Sequence, residues 1–283
     1  MFEVERDFAG LQRPGARPYQ EDSQGFAVLS EREDGGIETL LVVLADGMGG
    51  ENAGDYASQT VVDTFVAYCH THYHSDRVPE MLTSAMQVAN EKVADAIVRK
   101  PSLEGMGSTL LAAVVSEDSL YWLSVGDSPL YLFRDGKLSQ INEDHSMMPV
   151  LLKLVEEGDL EEAELATHPD RNVLRSAIIG DEIELIDCPD QAIAMQAGDV
   201  LLVASDGLQT LEKEEIELRL TRHKQLPADG LARILLRAVE RAANPKQDNV
   251  SINVVCLPGL TRTGDVDEDW MSKTRILRRG EEG

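Results

Sequence analysis

Three aspartates lie at the ends of apolar, strand-like runs and are the residues best placed to do chemistry together. Asp46 follows the run LLVVLA and precedes a glycine-rich segment, and Asp206 follows the similar run VLLVAS. Asp248 stands just before the alternating apolar segment 250–254. Because each carboxylate lies at an element boundary, where sites tend to be built, we expect all three to share one site.

The stretch 40–50, with the sequence LLVVLADGMGG, is compatible with two local structures. Asp-Gly is a favoured two-residue hairpin turn, but a hairpin requires a second strand after the turn. Residues 53–68 instead space their apolar side chains at helical intervals. We therefore predict a strand that ends at Ala45, then a loop that carries Asp46 and Gly47, then a helix.

Carboxylates that are gathered without basic neighbours repel one another, and some take up protons unless positive charge is bound. The aspartate motifs contain no lysine, so a divalent metal ion is the physical answer. Ligation by oxygen alone suits Mg²⁺ or Mn²⁺ rather than zinc. Two such ions close together can activate a water molecule and hold a phosphoryl group.

The composition indicates an acidic protein with a substantial core. The chain has 283 residues, 51 acidic and 26 basic, with a formal net charge of −25, and 42% of its residues are apolar. The apolar share argues against disorder, and the length favours one domain, with or without a short appendage. Nucleic acid is not expected as a partner, because phosphate backbones require cationic surfaces. Basic partners are favoured.

The cysteines and the apolar patterning predict a cytoplasmic protein. The three cysteines, Cys69, Cys188 and Cys256, are far apart and form no C-x-x-C motif, which is typical of reduced thiols. The opening MFEVERDF has no apolar signal core, and no run of about 18 apolar residues occurs. We expect no membrane association.

Charged residues also gather outside the three aspartate motifs. The turn-rich segment RPGARPYQEDS carries Arg17, Glu21 and Asp22, and it is equally compatible with a solvated charged turn. Residues 146–180 contain many acidic side chains and predict a mobile, solvated insertion. Residues 258–283 have few apolar side chains and predict a loose tail.

Seven short motifs occur in order along the chain. They are Arg17 with Glu21-Asp22, Asp46-Gly47-Met48-Gly49-Gly50, Gly107-Ser108-Thr109, Gly126-Asp127-Ser128, Asp144-His145-Ser146, Ser205-Asp206-Gly207 and Gln247-Asp248-Asn249. Each motif alone is weak evidence, but seven in this order are highly specific. Over about residues 5–257, the series resembles that of the metal-dependent PP2C-type protein serine/threonine phosphatases, in their bacterial branch.

The resemblance implies an α+β fold, a four-layer αββα sandwich in which two antiparallel β-sheets are flanked by helices. It implies one phosphatase domain over residues 1–257, with the acidic insertion at about 146–180 as a flap beside a metal cleft. Residues 258–283 would form a flexible tail.

The resemblance also implies roles for individual residues. The catalytic residues would be Asp46, Asp206 and Asp248, and Arg17 would bind the substrate phosphate through charge-assisted contacts. Asp46 would lie between two tightly bound Mn²⁺ or Mg²⁺ ions, Asp206 and Asp248 would complete one shell, and Glu21 would serve the other. The implied metal ligands are Glu21, Asp22, Asp46, the carbonyl of Gly47, Asp206 and Asp248.

The chain departs from the family pattern at two positions. Met48 stands where members with a DGH sequence have a histidine, so the leaving group must be protonated by water or by another group. Thr210 stands where many members have an aspartate, so we expect a third ion to bind weakly or not at all. Asp127 is read locally as a turn aspartate, but the resemblance assigns it to that third site.

The resemblance predicts a monomeric protein phosphatase that hydrolyses phosphoserine and phosphothreonine with a hydroxide held between two ions, and that opposes a serine/threonine kinase. No phosphoenzyme is expected, because no cysteine or serine lies in a nucleophile motif. Two alternatives remain open at this stage. One is a regulatory or binding protein of the same fold with weak catalysis, and the other is a small-molecule phosphohydrolase.

Overall fold

The computed structural model describes residues 2–49, 53–165, 167–259 and 276–277, and these residues form twelve strands and six α-helices. The strands are β1 (Phe8–Arg13), β2 (Asp22–Glu31), β3 (Ile37–Met48), β4 (Gly107–Ser108), β5 (Leu110–Val115), β6 (Ser119–Val125), β7 (Leu130–Arg134), β8 (Lys137–Gln140), β9 (Ile193–Ala194), β10 (Val200–Ala204), β11 (Val250–Cys256) and β12 (Ile276–Leu277). The helices are α1 (Ala53–His72), α2 (Val78–Arg99), α3 (Met148–Glu157), α4 (Glu162–Leu165), α5 (Lys213–His223) and α6 (Ala228–Ala242).

The strands form two sheets. The first sheet has the order β1-β11-β10-β7-β8. The second has the order β12-β2-β3-β5-β6-β9, and β4 pairs with the end of β3. All pairings are antiparallel except that of the two-residue β12 with β2.

The side chains of β3 explain why the two sheets stack between helices. Leu40, Val42 and Leu44 pack into the core between the sheets. Leu41 and Val43 point to the other face and pack under α1 and α2. Successive side chains of a strand alternate between its faces, so a continuous apolar run predicts a strand that is covered on both sides. The prediction of a buried strand here is confirmed.

The first sheet is covered in the same way by α5 and α6. Leu231, Leu235 and Val239 of α6 lie at helical spacing and pack against the outward side chains of β10 and β11. The four layers are therefore α1/α2, the second sheet, the first sheet and α5/α6, and the predicted αββα sandwich is confirmed.

The predicted end of the third strand at Ala45 is wrong. β3 continues through Asp46 and Gly47 to Met48, because its backbone finds partners on both sides. Asp46 is in register with Asp22 of β2, and Gly47 is in register with Ser108 of β4. The carboxylate of Asp46 is therefore carried by a strand rather than by a loop.

The acidic insertion is folded in part and solvated. It contains α3 and α4, and only Leu151 of these two helices is buried. The acidic side chains between Glu156 and Glu164 are exposed, as predicted. The mobility of the insertion stays a prediction.

The predicted tail, 258–283, lies mostly outside the described residues. Its described part includes Ile276–Leu277, which pairs in parallel with Phe26 and Ala27 of β2. Among the described residues, no helix is both long and apolar enough to cross a membrane.

Candidate metal centre

A cleft of about 740 Å³ opens at one end of the sandwich. The end of β3, the segment after β10 and the segment before β11 meet there. Every predicted site residue except Asp22 lines this cleft. The predicted residues that line it are Arg17, Glu21, Asp46, Gly47, Asp127, Asp206 and Asp248. The expectation that the three aspartates of the apolar runs converge is therefore met by the geometry.

Asp46 is fixed by backbone hydrogen bonds at the end of β3. Its N–H donates to the hydroxyl of Thr109 at 2.9 Å, and its carbonyl accepts from the N–H of Thr109 at 2.9 Å and from the hydroxyl of Ser108 at 3.0 Å. Burial raises the pKa of the Asp46 carboxyl well above its ordinary value, and the charges of Asp22 and Asp206 raise it further.

Asp206 begins the 3-10 helix Asp206–Thr210 that follows β10. Burial first, and then the charge of Asp248, raise the pKa of Asp206 to about 6, against a lowering effect of its side-chain hydrogen bond with Asp46. Two carboxylates can share a hydrogen bond only when one of them carries a proton. Asp46 and Asp206 are therefore close enough for the charge of one to oppose ionisation of the other.

Asp22 lies behind the cleft rather than in its wall. Its side chain is buried, and its Oδ2 accepts hydrogen bonds from Ser205 at 2.8 Å and Ser251 at 2.7 Å. Burial raises the pKa of Asp22 to about 6, against the lowering effect of these two hydroxyls. Asp22 thus adds negative charge directly behind Asp46, its neighbour in the sheet.

Glu21 is held against the start of α1 by contacts that require glycines. Its carbonyl accepts from the N–H of Gly47 at 3.1 Å and from the hydroxyl of Ser58 at 2.5 Å. A Cβ at Gly54 would lie 2.5 Å from Oε1 of Glu21, and a Cβ at Gly47 would lie 2.1 Å from the carbonyl oxygen of Gly54. The Glu21 carboxylate therefore occupies space that a side chain at position 54 would fill.

Arg17 supplies positive charge beside these carboxylates. Its Nη2 donates to Oδ2 of Asp248 at 2.5 Å, and both side chains are about half exposed. This hydrogen bond raises the pKa of the guanidinium, to which the charges of Asp248 and Glu21 also contribute. The exposed guanidinium faces the cleft and can exchange Asp248 for another anion.

Asp127 lies in the cleft wall, after β6. Burial, followed by the charges of Asp206 and Asp144, raises the pKa of Asp127 to about 7. Thr210 lies at the end of the 3-10 helix and does not line the cleft. Met48 lines the cleft and carries no titratable group.

The side chains fit divalent cations by their chemistry. Oε1 of Glu21, Oδ1 of Asp22 and Oδ1 of Asp206 are buried and have no hydrogen-bond partner in the structure, and an unpaired buried carboxylate oxygen is costly. In the described part of the chain, no three acidic, histidine or cysteine side chains already stand as a metal-ligand group. Asp248 also accepts a hydrogen bond from Arg17, so a cation that binds Asp248 would compete with the guanidinium.

The flap contributes to the cleft through its C-terminal part and not through its acidic cluster. The acidic side chains between Glu156 and Glu164 do not line the cleft. Residues 172–177 and Ile179 line it, followed by Glu182 and Glu184. This segment reaches the cleft because Ile178 pairs with Ser108 beside β3. Sequence reasoning did not assign Glu182 and Glu184 to the site, because no local pattern distinguishes them from other solvated acids.

Asn249 is a further cleft residue to which the sequence analysis assigned no role. It lines the cleft and is buried, and its side chain bonds to the loop that carries Arg17 and Glu21. Its position directly after Asp248, within a motif, was the available signal.

Comparison with known proteins gives a consistent result. Residues 27–247 match the family model described as protein phosphatase 2C. The serine/threonine protein phosphatase PstP of Mycobacterium tuberculosis is 34% identical over 214 residues, which cover 76% of this chain and 40% of that protein. Protein phosphatase PhpP of Streptococcus pneumoniae is 30% identical over 221 residues, which cover 77% of this chain and 85% of that protein. The chain thus matches less than half the length of the mycobacterial relative.

Solved structures show the same architecture. A crystal structure of the M. tuberculosis phosphatase PstP/Ppp has a TM-score of 0.73 and 31% identity, and the match covers 89% of this chain and 98% of that one. The catalytic domain of PstP in complex with two manganese ions has a TM-score of 0.70 and 30% identity, with 89% and 98% covered.

The raised pKa of Asp206 predicts a pH-dependent effect of Asp206→Asn on the metal-free protein. When folding raises the pKa of an acid, the protonated acid stabilises the folded protein fully below the ordinary pKa, which is near 4. This stabilisation is lost as the pH rises through the pKa in the folded protein, which is about 6. Asparagine does not ionise, so the variant does not lose stability in this way. In chelator, Asp206→Asn should therefore raise the melting temperature at pH 8 relative to the wild type, and have little effect at pH 4.5.

The matched control is Asp159→Asn, in the exposed part of the flap, which should shift the melting temperature equally at both pH values. Thermal unfolding followed by circular dichroism measures this. An Asp206→Asn protein that is less stable than wild type at pH 8 would contradict the cost assigned to the ionised carboxylates.

Proposed function

The chain belongs to the protein phosphatase 2C family, and on this premise we propose that it is a metal-dependent protein phosphatase that hydrolyses phosphoserine and phosphothreonine in proteins. The observation that carries the proposal is the presence of Arg17, Glu21, Asp46, Asp206 and Asp248 in one cleft. The relatives' names as serine/threonine phosphatases support it, as does the manganese complex of one of them.

We propose that the three aspartates, one in β3, one just after β10 and one just before β11, hold divalent cations at the cleft. Asp46 would serve two ions, and Asp206 and Asp248 would complete the shell of one. Cations bound there supply the positive charge that activates water and stabilises a phosphoryl group during transfer. The chain's own contribution is to hold the carboxylates at fixed positions despite their repulsion.

Glu21 and the carbonyl of Gly47 would hold the other ion. The unpaired Oε1 of Glu21 and the glycine at position 54, which leaves room for it, support this assignment. Asp22 lies behind Asp46, so it would attract cations through the negative charge that it adds to the site.

Arg17 would bind the substrate phosphate. Its guanidinium is exposed, faces the cleft and already binds a carboxylate oxygen of Asp248. Phosphate accepts charge-assisted hydrogen bonds from arginine in the same way, often as a bidentate pair. When cations engage Asp248, Arg17 becomes available for the phosphate, so metal binding and phosphate binding support each other.

Direct attack by water is favoured over a covalent enzyme intermediate. Cys69 and Cys256 are buried in the core, and Cys188 contacts Thr83 and Pro79 away from the cleft. Ser176 lines the cleft, but its hydroxyl donates to the carbonyl of Leu185 and accepts from its N–H. The described residues that line the cleft include no histidine, so another group or water must protonate the leaving oxygen.

We further propose that the substrates are phosphoproteins of a serine/threonine kinase, that residues 1–257 form the catalytic domain, and that the protein acts as a monomer. The three free cysteines are consistent with a cytoplasmic location.

Activity should depend wholly on a divalent cation. Chelation should abolish hydrolysis of a phosphothreonine peptide, and added Mn²⁺ or Mg²⁺ should restore it. Asp46→Asn should lower kcat by about a hundredfold or more while the protein stays folded, because it removes one charged ligand. Asp159→Asn is the control and should leave kcat unchanged. Undiminished turnover in chelator would contradict the mechanism, and a strong preference for small phosphate esters over phosphopeptides would contradict the substrate class.

Substrate choice should be biased towards phosphosites that are flanked by lysine or arginine, because Glu182 and Glu184 line the cleft. Glu182→Gln with Glu184→Gln should lower kcat/KM for a basic peptide by about two- to fivefold at low salt, the range of an exposed ion pair. High salt should remove the difference.

The control is the pair Glu156→Gln and Glu157→Gln, on the exposed part of the flap that does not line the cleft. Neutral peptides should be unaffected by either pair. An equal loss from both pairs would show that net charge, rather than the cleft wall, selects the substrate.

A third cation should bind more weakly than the first two, because Thr210 ends the 3-10 helix outside the lining of the cleft and brings no carboxylate towards Asp127. Thr210→Asp should tighten a third binding event in calorimetric Mn²⁺ titration and leave the first two unchanged. Three events of equal affinity in the unmodified protein would contradict this reading of Thr210.

A further inference from the structure

The carboxamide of Asn249 joins the start of β11 to the loop that carries Arg17 and Glu21. Its Oδ1 accepts a hydrogen bond from the N–H of Glu21 at 2.7 Å. Its Nδ2 donates to the carbonyl oxygens of Pro14 at 2.9 Å and Tyr19 at 2.8 Å. Two carbonyls and one N–H can be satisfied by only one orientation of the amide, so these partners fix the side chain.

These three partners lie at the points of the loop that determine the positions of its functional side chains. Pro14 and Tyr19 stand on either side of Arg17, so the two Nδ2 bonds hold both ends of the segment that carries the guanidinium. The third bond holds the backbone of Glu21 itself. One buried side chain therefore positions the proposed phosphate ligand and a proposed cation ligand.

Close backbone approaches on two sides strengthen this arrangement. A Cβ at Gly15, whose φ is +62°, would lie 2.2 Å from the carbonyl oxygen of Asp248. A Cβ at Gly207 would lie 2.0 Å from the carbonyl oxygen of Asn249. The backbone of Asp248 and Asn249 is thus packed between the Arg17 loop and the Asp206 turn.

We propose that Asn249 is a positioning residue that couples phosphate binding by Arg17 to cation binding by Glu21. This inference rests on the proposed function of the cleft. Asn249 acts through the two side chains that its hydrogen bonds hold, and its carboxamide has no N–H left for a phosphate, since both donors are engaged.

The matched control is Asn253, four residues further along β11. It is fully buried, and the one hydrogen bond that its carboxamide makes within the described chain is a long one, from Nδ2 to the carbonyl of Val203 at 3.4 Å. Asn253→Ala therefore removes a buried asparagine from the same strand without releasing the Arg17 loop. A role of Asn249 in stability alone would lower the melting temperature of Asn249→Ala and leave its phosphate affinity, like that of Asn253→Ala, unchanged.

The test is a double-mutant cycle with Arg17→Ala, read by calorimetric binding of inorganic phosphate to the manganese-saturated protein. Asn249→Ala should weaken phosphate binding by about tenfold, or ~1.4 kcal/mol. In the Arg17→Ala background the same change should cost less than about twofold, because the two residues act as a unit. Asn253→Ala should leave phosphate affinity unchanged.

Manganese affinity is the second quantity measured on the same variants. Asn249→Ala should weaken Mn²⁺ binding in both backgrounds through Glu21, and Asn253→Ala should not. An equal loss of phosphate affinity with and without Arg17, or equal effects of Asn249→Ala and Asn253→Ala, would overturn the proposal.

Backbone hydrogen exchange of the Asn249→Asp variant tests the proposal without measuring activity. This substitution keeps the acceptor oxygen and removes only the two donated hydrogen bonds. The carboxylate still accepts from Glu21, so the Glu21 amide should stay protected, whereas the Ala16 and Arg17 amides should exchange faster. Unchanged exchange at Ala16 and Arg17 would overturn the proposal. An inactive wild-type protein with these exchange changes would instead count against the proposed function alone.

Discussion

Repulsion among buried carboxylates is the constraint on which this end of the molecule depends. Burial raises the pKa values of Asp22, Asp46, Asp127 and Asp206, and neighbouring negative charge raises each of them further. The contact of Arg17 with Asp248 offsets part of this repulsion. Divalent cations would offset the rest, because their charge lowers the cost of holding several ionised carboxylates in one buried place.

The sandwich supplies the rigidity that such a site requires. Asp46 is held by a ladder of backbone bonds on both sides of β3, and the side chains just before it pack into two different cores. Gly47 and Gly207 allow close backbone contacts that bring the acidic side chains together. The cost of gathering like charges is offset by apolar burial in the three cores between the sheets and under the helices.

The apolar runs before Asp46 and Asp206 were readable from the sequence because strand alternation and burial are local patterns. The end of β3 was not, because it depends on pairing with Gly107 and Ser108, about 60 residues away. Glu182 and Glu184 were not readable either, since they reach the cleft only after the flap segment returns beside β3. The αββα arrangement itself came from resemblance to a family; hydrophobic periodicity is compatible with it but does not specify it.

We infer that burial and mutual repulsion keep some carboxylates of the cleft protonated near pH 6, and that divalent cations replace these protons. Calorimetric titration of Mn²⁺ into the metal-free protein, in buffers of different ionisation enthalpy, measures the protons released on binding. We expect saturable Mn²⁺ binding with net proton release at pH 6 and a smaller release at pH 8.5. At the higher pH, more of the carboxyl groups of the cleft have already lost their protons. Saturable binding with no proton release at pH 6 would contradict this inference, since the carboxylates would then already be ionised without cations.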